Sequence, residues 1–414
     1  MKQRGTVAAI DVGSTKVTAL VAEIGSRGEA RVIGAGVAPA AGLARGVIDN
    51  IQSARDSVAI AIEKAEQASG LRIFSAYVGL AGNHISSQNN RGIVAVADRD
   101  HAITADDRAR ALEAAGNIAI PTNRQIVHLL PRGYWVEGTD PVSDPVGMFG
   151  ARLDAETHIV TAQTSAVNNL RKVIESAGVH IDGFVLEGLA SATAVLEDAE
   201  RVHGVAVVDI GATTTSMVVY DEGAVAHTAC LPLAGSHLSQ DLARVLRCPW
   251  ESAEEVKCAF GAAFALEADD NETVEVRAFG TQGRRIVPLK LVRDILQART
   301  EEIIEMIEIE LKRAGYFDTI GAGVVFTGGS SQLRGLAELA EAKLGIPARV
   351  GFPLGYNGMA DLIGSPAYST SIGLVEYALQ GSERPAELAP AGFEMPSGGL
   401  FRRIAAIGRA LMPQ

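Results

Sequence analysis

The sequence predicts a mixed α/β fold of two similar lobes facing a cleft, with a small α+β subdomain inserted in the first lobe and an amphipathic helix at the C-terminus. Three observations predict it. Residues 6–21 (TVAAIDVGSTKVTALV) and 205–220 (VAVVDIGATTTSMVVY) repeat one pattern: an apolar strand, an Asp, a spacer, a Gly, small hydroxyl residues and a second strand. Residues 84–163 interrupt the strand-and-helix rhythm around them, and the chain closes on GLFRRIAAIGRALMPQ, apolar and basic by turns. Duplicated hairpins heading two α/β halves suggest lobes that share a cleft, where ligands gather at the carboxyl ends of the strands.

A chain of 414 residues exceeds one small core and implies two or more domains. The 47% hydrophobic content comes largely from small residues. No run approaches the ~20 apolar residues of a membrane span. The charged start runs straight into Asp11 with no small-residue cleavage site, so no signal peptide is expected. A net charge of −12 argues against a nucleic-acid partner. Cys230, Cys248 and Cys258 show no C-x-x-C spacing, which suits a reducing cytoplasm better than a disulfide framework or structural zinc. The histidines, among them His84, His128, His227 and His237, show no metal-ligand spacing and read as packing or surface residues.

In chain order, the first hairpin is followed by a strand at 31–40, a helix at 53–70 with Ser53 as N-cap and Gly70 as stop, and a strand at 74–82. The insert reads as a strand at RGIVAVAD, a helix around ADDRARALEAAGNIA, the segment RQIVHLLPRGYWVEG and a Pro/Gly-rich PVSDPVGMFG. Residues 158–178 return to strand-then-helix. The second half restarts at Gly204, carries a polar region at 236–290, one long helix over 291–315, a strand at 321–329 and a further helix. Residues 381–398, rich in Pro, Glu, Ala and Gly, read as a flexible linker.

The hairpins suggest phosphate chemistry. A Gly-led turn lets backbone N–H groups approach phosphate oxygens, as Gly13 and Gly211 would allow. Ser14, Thr15, Thr213 and Thr214 add hydroxyl donors, and Lys16 adds a neutralising charge. Asp11 and Asp209, one per lobe, would hold Mg²⁺ through water. Either hairpin alone reads better as an ordinary tight turn; the matched pair favours phosphate. VVFTGGSSQLRGL (324–336) adds a strand, Gly328-Gly329 and a helix N-terminus, suited to a nucleotide's phosphates or sugar or simply to a strand-to-helix turn.

Two phosphate segments and an adenosine segment in this order resemble the actin/Hsp70/sugar-kinase ATPase superfamily. FVLEGLASATAVL (184–196) and YSTSIGLVEYAL (368–379) resemble its connecting helices, and SAEEVKCAFG (252–261) resembles an Ala-Glu-x-x-Lys segment. Within the superfamily, GNHISSQNNRGIVAV (82–96), DPVGMFGARLDAETHIVTA (144–162) and the C-terminal tail are similar to the FtsA family of bacterial cell-division proteins, over roughly residues 5–412.

The resemblance implies an actin-like ATPase fold. Its first lobe (1A) would take 1–83, 164–203 and 366–380, with the insert (1C, an SHS2 domain) at 84–163. The second lobe (2A) would take 204–235 and 319–365, subdomain 2B 236–318, the linker 381–397 and the membrane helix 398–412. It implies ATP and Mg²⁺ as cofactors, with Glu187 orienting a water, Glu254 and Lys257 near the ribose and adenine, and Ala212, Ser330 and Gln332 within the nucleotide-binding segments. It implies a polymer that tethers the FtsZ ring to the inner face of the cell membrane and recruits later division proteins. Subdomain 2B would receive the acidic, apolar tail of FtsZ, with Arg284 and Arg285 as candidate contacts. The second phosphate segment departs from the family's Asp-x-Gly-Gly-Gly-Thr-x-Asp: Ala212, Thr213 and Ser216 replace two glycines and a carboxylate. Nucleotide binding is expected to survive and hydrolysis to be weak or absent.

In the tail, Leu400, Phe401, Ile404, Ile407 and Leu411 share a helical stripe, with Arg402 and Arg409 pointing away and Arg403 on the flank. This composition suits a helix lying in an anionic membrane interface; a helix that docks on a partner or core is the alternative. Each apolar side chain contributes at most ~1.5–3 kcal/mol, before the cost of folding and localisation, so one tail binds reversibly. Linked tails gain on the order of 10²–10⁴ in avidity. A pilus-assembly relative such as PilM would lack this tail, and a small-molecule kinase would need a catalytic base and an acceptor pocket.

Overall fold

The computed structural model describes residues 5–25, 29–44, 46–97, 102–138, 140–264, 272–279 and 283–383. The first lobe opens with a meander of β1 (Thr6–Val12), β2 (Lys16–Ile24) and β3 (Ala30–Pro39). A short hairpin, β4 (Leu43–Ala44) and β5 (Val47–Ile48), leads into α1 (Ile51–Ser69). Asn50 is the N-cap of this helix, three residues ahead of the expected Ser53: its side chain accepts the Ser53 N–H at 3.0 Å, which leaves Ser53 inside the first turn. Helix α1 returns the chain to β6 (Ser75–Leu80), parallel to β1.

The insert follows as β7 (Ile85–Ala95), α2 (Ala105–Gly116), β8 (Arg124–Val136) and β9 (Arg152–Gln163). Its three-stranded antiparallel sheet runs β7-β9-β8. Strand β7 begins well before RGIVAVAD because its partner β9 is long enough to pair it from Ile85 onward. Strand β9, through Gln163, is the centre of this sheet, and the chain continues into α3 (Thr164–Ser176) and β10 (His180–Leu186).

Helices α4 (Glu187–Val195) and α5 (Asp198–His203) lead into a second meander of β11 (Val205–Ile210), β12 (Thr215–Asp221) and β13 (Ala224–Leu231). Then come α6 (Gly235–Leu246), α7 (Trp250–Phe260), β14 (Thr273–Arg277), β15 (Arg284–Pro288) and α8 (Leu289–Ala314). Within the region expected to be polar, residues 276–288 supply the end of β14 and all of β15, with Val276 and Val287 buried on the inner face of that hairpin. Strand β16 (Val324–Thr327), α9 (Leu336–Leu344) and β17 (Ala348–Val350) complete the second sheet. Strand β18 (Tyr356–Asn357), α10 (Ala360–Ile363) and α11 (Ser369–Glu383) follow.

The duplication is visible in the sheets. The first runs β10-β6-β1-β2-β3-β18 and the second β13-β12-β11-β16-β17, so each is an antiparallel meander extended by two parallel strands beside β1 or β11, and the first carries a third, β18, parallel to β3. Strands buried on both faces explain the near-continuous apolar runs in β1 and β11. Helices α4 and α11 pack together between the sheets, in a core with Leu189, Val195, Val218, Ile372 and Leu374. Helix α11 continues through Glu383, three residues into the stretch expected as linker. The remainder of that linker and the tail at 398–412, with Leu400, Phe401, Arg402, Arg403, Ile404, Ile407, Arg409 and Leu411, lie outside the described residues. Among the described residues, no helix is long and apolar enough to cross a membrane.

Candidate functional site

Each Asp-led turn closes a hairpin whose register the strands set: Asp11 pairs with Thr18 across β1–β2, and Asp209 with Ser216 across β11–β12. The two turns meet. Ser14 Oγ and Thr213 Oγ1 lie 2.6 Å apart although 199 residues separate them in sequence. Around them opens a cavity of about 790 Å³ lined by both lobes. Its lining includes Asp11, Gly13, Ser14, Thr15 and Lys16 from the first hairpin and Asp209, Gly211, Ala212, Thr213 and Thr214 from the second. Glu187, Glu254, Lys257, Gly328, Gly329, Ser330 and Gln332 line it too, so the cleft gathers all of these site candidates.

The two carboxylates are held by the connecting helices. Asp209 Oδ2 accepts the Ser191 hydroxyl of α4 at 2.5 Å and the Thr370 hydroxyl of α11 at 3.0 Å. Asp11 Oδ2 accepts from Ser371, the next residue of α11, at 3.0 Å. Neighbouring residues at the start of one helix thus position an acid from each lobe. Ser191, Thr370 and Ser371 escaped the sequence reading, although both connecting segments were picked out; their hydroxyls are functional only through contacts that no local spacing displays. Tyr368 was missed for the same reason. Its ring lies 3.2 Å beneath Lys16 Nζ.

Burial disfavours charge here. It lifts the Asp11 carboxyl to about 6, with the Ser371 hydrogen bond and Lys16 opposing and Asp209 adding to the rise. Burial likewise raises Asp209, and burial plus the two aspartates raises Glu187 well above the usual carboxylate range. Lys16 is lowered to about 8 by burial, against the pull of both aspartates. Asp11 and Asp209 share the one charge of Lys16, and Glu187 feels both acids. Among the described residues no three His, Cys, Asp or Glu side chains come together as a direct metal-binding group. Asp11 and Asp209, one from each lobe, are oxygen donors of the class that a hydrated cation takes.

The second Gly site differs from expectation. A 3₁₀ turn at Gly329–Gln332 follows Gly328, and α9 starts only at Leu336, so no α-helix N-terminus faces the cleft there. Gly328 adopts φ +85, and a Cβ on it would collide with Asp209 Oδ1 and the Ile210 carbonyl oxygen. Ser330 Oγ donates to the Gly211 carbonyl at 2.9 Å, tying this turn to the second hairpin. The N–H groups of Gly235 and Ser236, at the start of α6, bond the carbonyls of Gly211 and Ala212 at 3.1 and 2.7 Å. On α7, Lys257 Nζ pairs with Glu254 Oε2 at 2.7 Å, and Ser239 also donates to that oxygen. Ser216, where a carboxylate was noted as missing, is buried. Arg284 and Arg285 lie elsewhere, on exposed β15: Arg284 pairs with Glu275 at 2.9 Å and Arg285 donates to the Leu246 carbonyl at 3.2 Å.

Comparison with known proteins matches residues 206–373 to the family model "Cell division protein FtsA" and residues 82–161 to "SHS2 domain inserted in FTSA". The chain is 40% identical to cell division protein FtsA of Pseudomonas aeruginosa over 374 residues, 90% of this chain and 89% of the relative. The chain belongs to the FtsA family. It is 32% identical to Escherichia coli K12 FtsA over 381 residues, 90% of each chain. FtsA membership assigns it to cell division and identifies the three-stranded insert as the SHS2 domain. Solved structures agree on an actin-like fold: the PilM-PilN type IV pilus biogenesis complex (TM-score 0.63, 17% identity, 91% of this chain and 99% of that one). MreB5 of Spiroplasma citri bound to ADP gives 0.57 at 13% identity, covering 93% and 100%.

Proposed function

We propose that this FtsA-family protein binds Mg-ATP between its lobes, polymerises, and anchors the FtsZ ring to the inner face of the cytoplasmic membrane at the division site, recruiting later division proteins. The observation that carries the reading is the meeting of the two Asp-led hairpins across the cleft, with Ser14 and Thr213 in contact. Relatives of the same fold were solved with ADP and with AMPPNP. The backbone and hydroxyl groups of residues 13–15 and 212–214 bind phosphate oxygens, and Lys16 neutralises charge. Asp11 and Asp209 hold the waters of Mg²⁺, which when bound offsets phosphate charge. Glu254 and Lys257 meet the ribose and base, as do Gly328, Gly329, Ser330 and Gln332 beside them. Glu187 orients a water, but Ala212 and Thr213 crowd the terminal phosphate, so hydrolysis is weak or absent.

The C-terminal segment 398–412 supplies reversible attachment to anionic lipid, multiplied by polymerisation. On subdomain 2B, Arg284 and Arg285 lie beside exposed Ile286, a mixed basic and apolar surface suited to an acidic, apolar FtsZ tail. Calorimetry with ATP and Mg²⁺ tests the cleft: saturable heat lost in Asp209→Asn supports it, and no heat with the native protein overturns it. Sedimentation with anionic liposomes tests the anchor. Full-length protein should pellet and a 1–398 truncation should stay in solution; equal pelleting rejects the membrane role.

A further inference from the structure

One end of the cavity is chemically unlike the rest. Leu43, Val47 and Ile48 of the β4–β5 hairpin, Ala81 after β6, and Ala166 and Leu170 of α3 give it apolar walls. His84 lines the cavity with them. A Cβ on Gly82 would lie 2.7 Å from His84 Nδ1 and 3.1 Å from the Gly46 carbonyl oxygen, which fixes the imidazole beside the tip of that hairpin. His84 is 4% exposed, and among the described residues neither ring nitrogen has a hydrogen-bond partner.

The other buried histidines among the described residues are engaged. His128 Nε2 accepts the Leu186 N–H at 3.0 Å, and His158 bonds Asn89 and Thr228. Buried polar groups are ordinarily satisfied, and an orphan on the wall of a cavity calls for a partner within it. Burial and Arg124 hold His84 to about 4, so at physiological pH the ring is neutral, with one donor and one acceptor nitrogen. The apolar walls favour an uncharged guest, and a hydroxyl can meet either of the two unpartnered ring nitrogens, as donor to one or acceptor from the other.

We propose that this end of the cavity is a second ligand site, for a compact uncharged molecule with an apolar body and one hydroxyl group that hydrogen-bonds His84. The site is separate in chemistry from the carboxylate cleft. It touches that cleft at one point: a Cβ on Gly46 would meet Thr214 Cγ2 at 3.4 Å, so the hairpin over the guest rests on the second Asp-led turn.

Phenol is the probe. In full-length protein labelled with ¹³C-histidine, phenol should shift the His84 ring resonance saturably and leave those of His128 and His158 unmoved. Leu170→Trp, which fills the chamber, should abolish the shift. His84→Leu should raise the midpoint of phenol-induced thermal stabilisation about 5–10-fold, the order expected for one lost hydrogen bond. Asp11→Asn should bind phenol as the native protein does, whether or not the cleft takes nucleotide. Absence of a saturable His84 shift in the native protein, or an equal shift in Leu170→Trp, overturns the proposal.

Discussion

Asp11 shows what a buried carboxyl in the cleft costs in stability. Folding raises its carboxyl from 3.8 to about 6, so the folded state keeps a proton that the unfolded chain has lost. Stability from this group is full below the ordinary carboxylate range, falls as pH rises through the window up to about 6, and is level above it. The shift corresponds to about 3 kcal/mol, at roughly 1.4 kcal/mol per unit. Asp11→Asn keeps an acceptor for Ser371 and removes the buried charge. In calorimetric melts without nucleotide it should unfold at higher temperature than the native protein at pH 7.5, with the difference shrinking towards pH 4. On the proposed function Mg-ATP should stabilise the native protein, and the same variant should lose that stabilisation. A variant that melts lower at pH 7.5 contradicts this account of the site's electrostatics.

The elements that matter most are the two connecting helices, and their approach depends on one missing side chain. A Cβ on Gly373 of α11 would collide with the Ala190 carbonyl oxygen of α4. Gly373→Ala should lower stability by roughly 1–3 kcal/mol, the usual cost of overpacking, measured by urea denaturation. It should also weaken ATP binding by calorimetry, because Thr370 and Ser371 precede it on the same helix and carry both acids. Ala367, in the preceding 3₁₀ turn, gives a control: it lines the open cleft, and Ala367→Gly should leave α4 and α11 in place. At this scale the sequence was legible where chemistry is local. The Asp-led hairpins, the long α8 and the insert's place in the chain follow from strand alternation, Gly position and helical spacing. The hydroxyls of Ser191, Thr370 and Ser371 did not, since each acts on an acid that is 18, 161 or 360 residues away. Likewise, the β14–β15 hairpin was obscured by charged residues on its outer face, and the capping Asn50 by the equally plausible Ser53.

Across the whole molecule, the SHS2 insert belongs to the first lobe by connectivity but is bonded to the second. Ser87 Oγ donates to the Thr228 carbonyl at 2.8 Å, Asn89 Nδ2 to the Ala226 carbonyl at 3.1 Å, and His158 Nε2 lies 3.0 Å from Thr228 Oγ1. Any hinge motion between the lobes must move or break this seam. Asn89→Ala, which loses two of its contacts, should speed hydrogen exchange in β13 and β9 several-fold while β1 and β11 exchange as before. Burial and neighbouring cationic groups hold His158 to about 3, so the seam should withstand mild acid. The touching hydroxyls of Ser14 and Thr213 have a further consequence for timing. A guest whose phosphates thread between the turns cannot arrive in one diffusive step: the lips must part first and reseal behind it. Capture and escape of such a guest are then paced by the same opening, so whatever holds the two turns together would slow both.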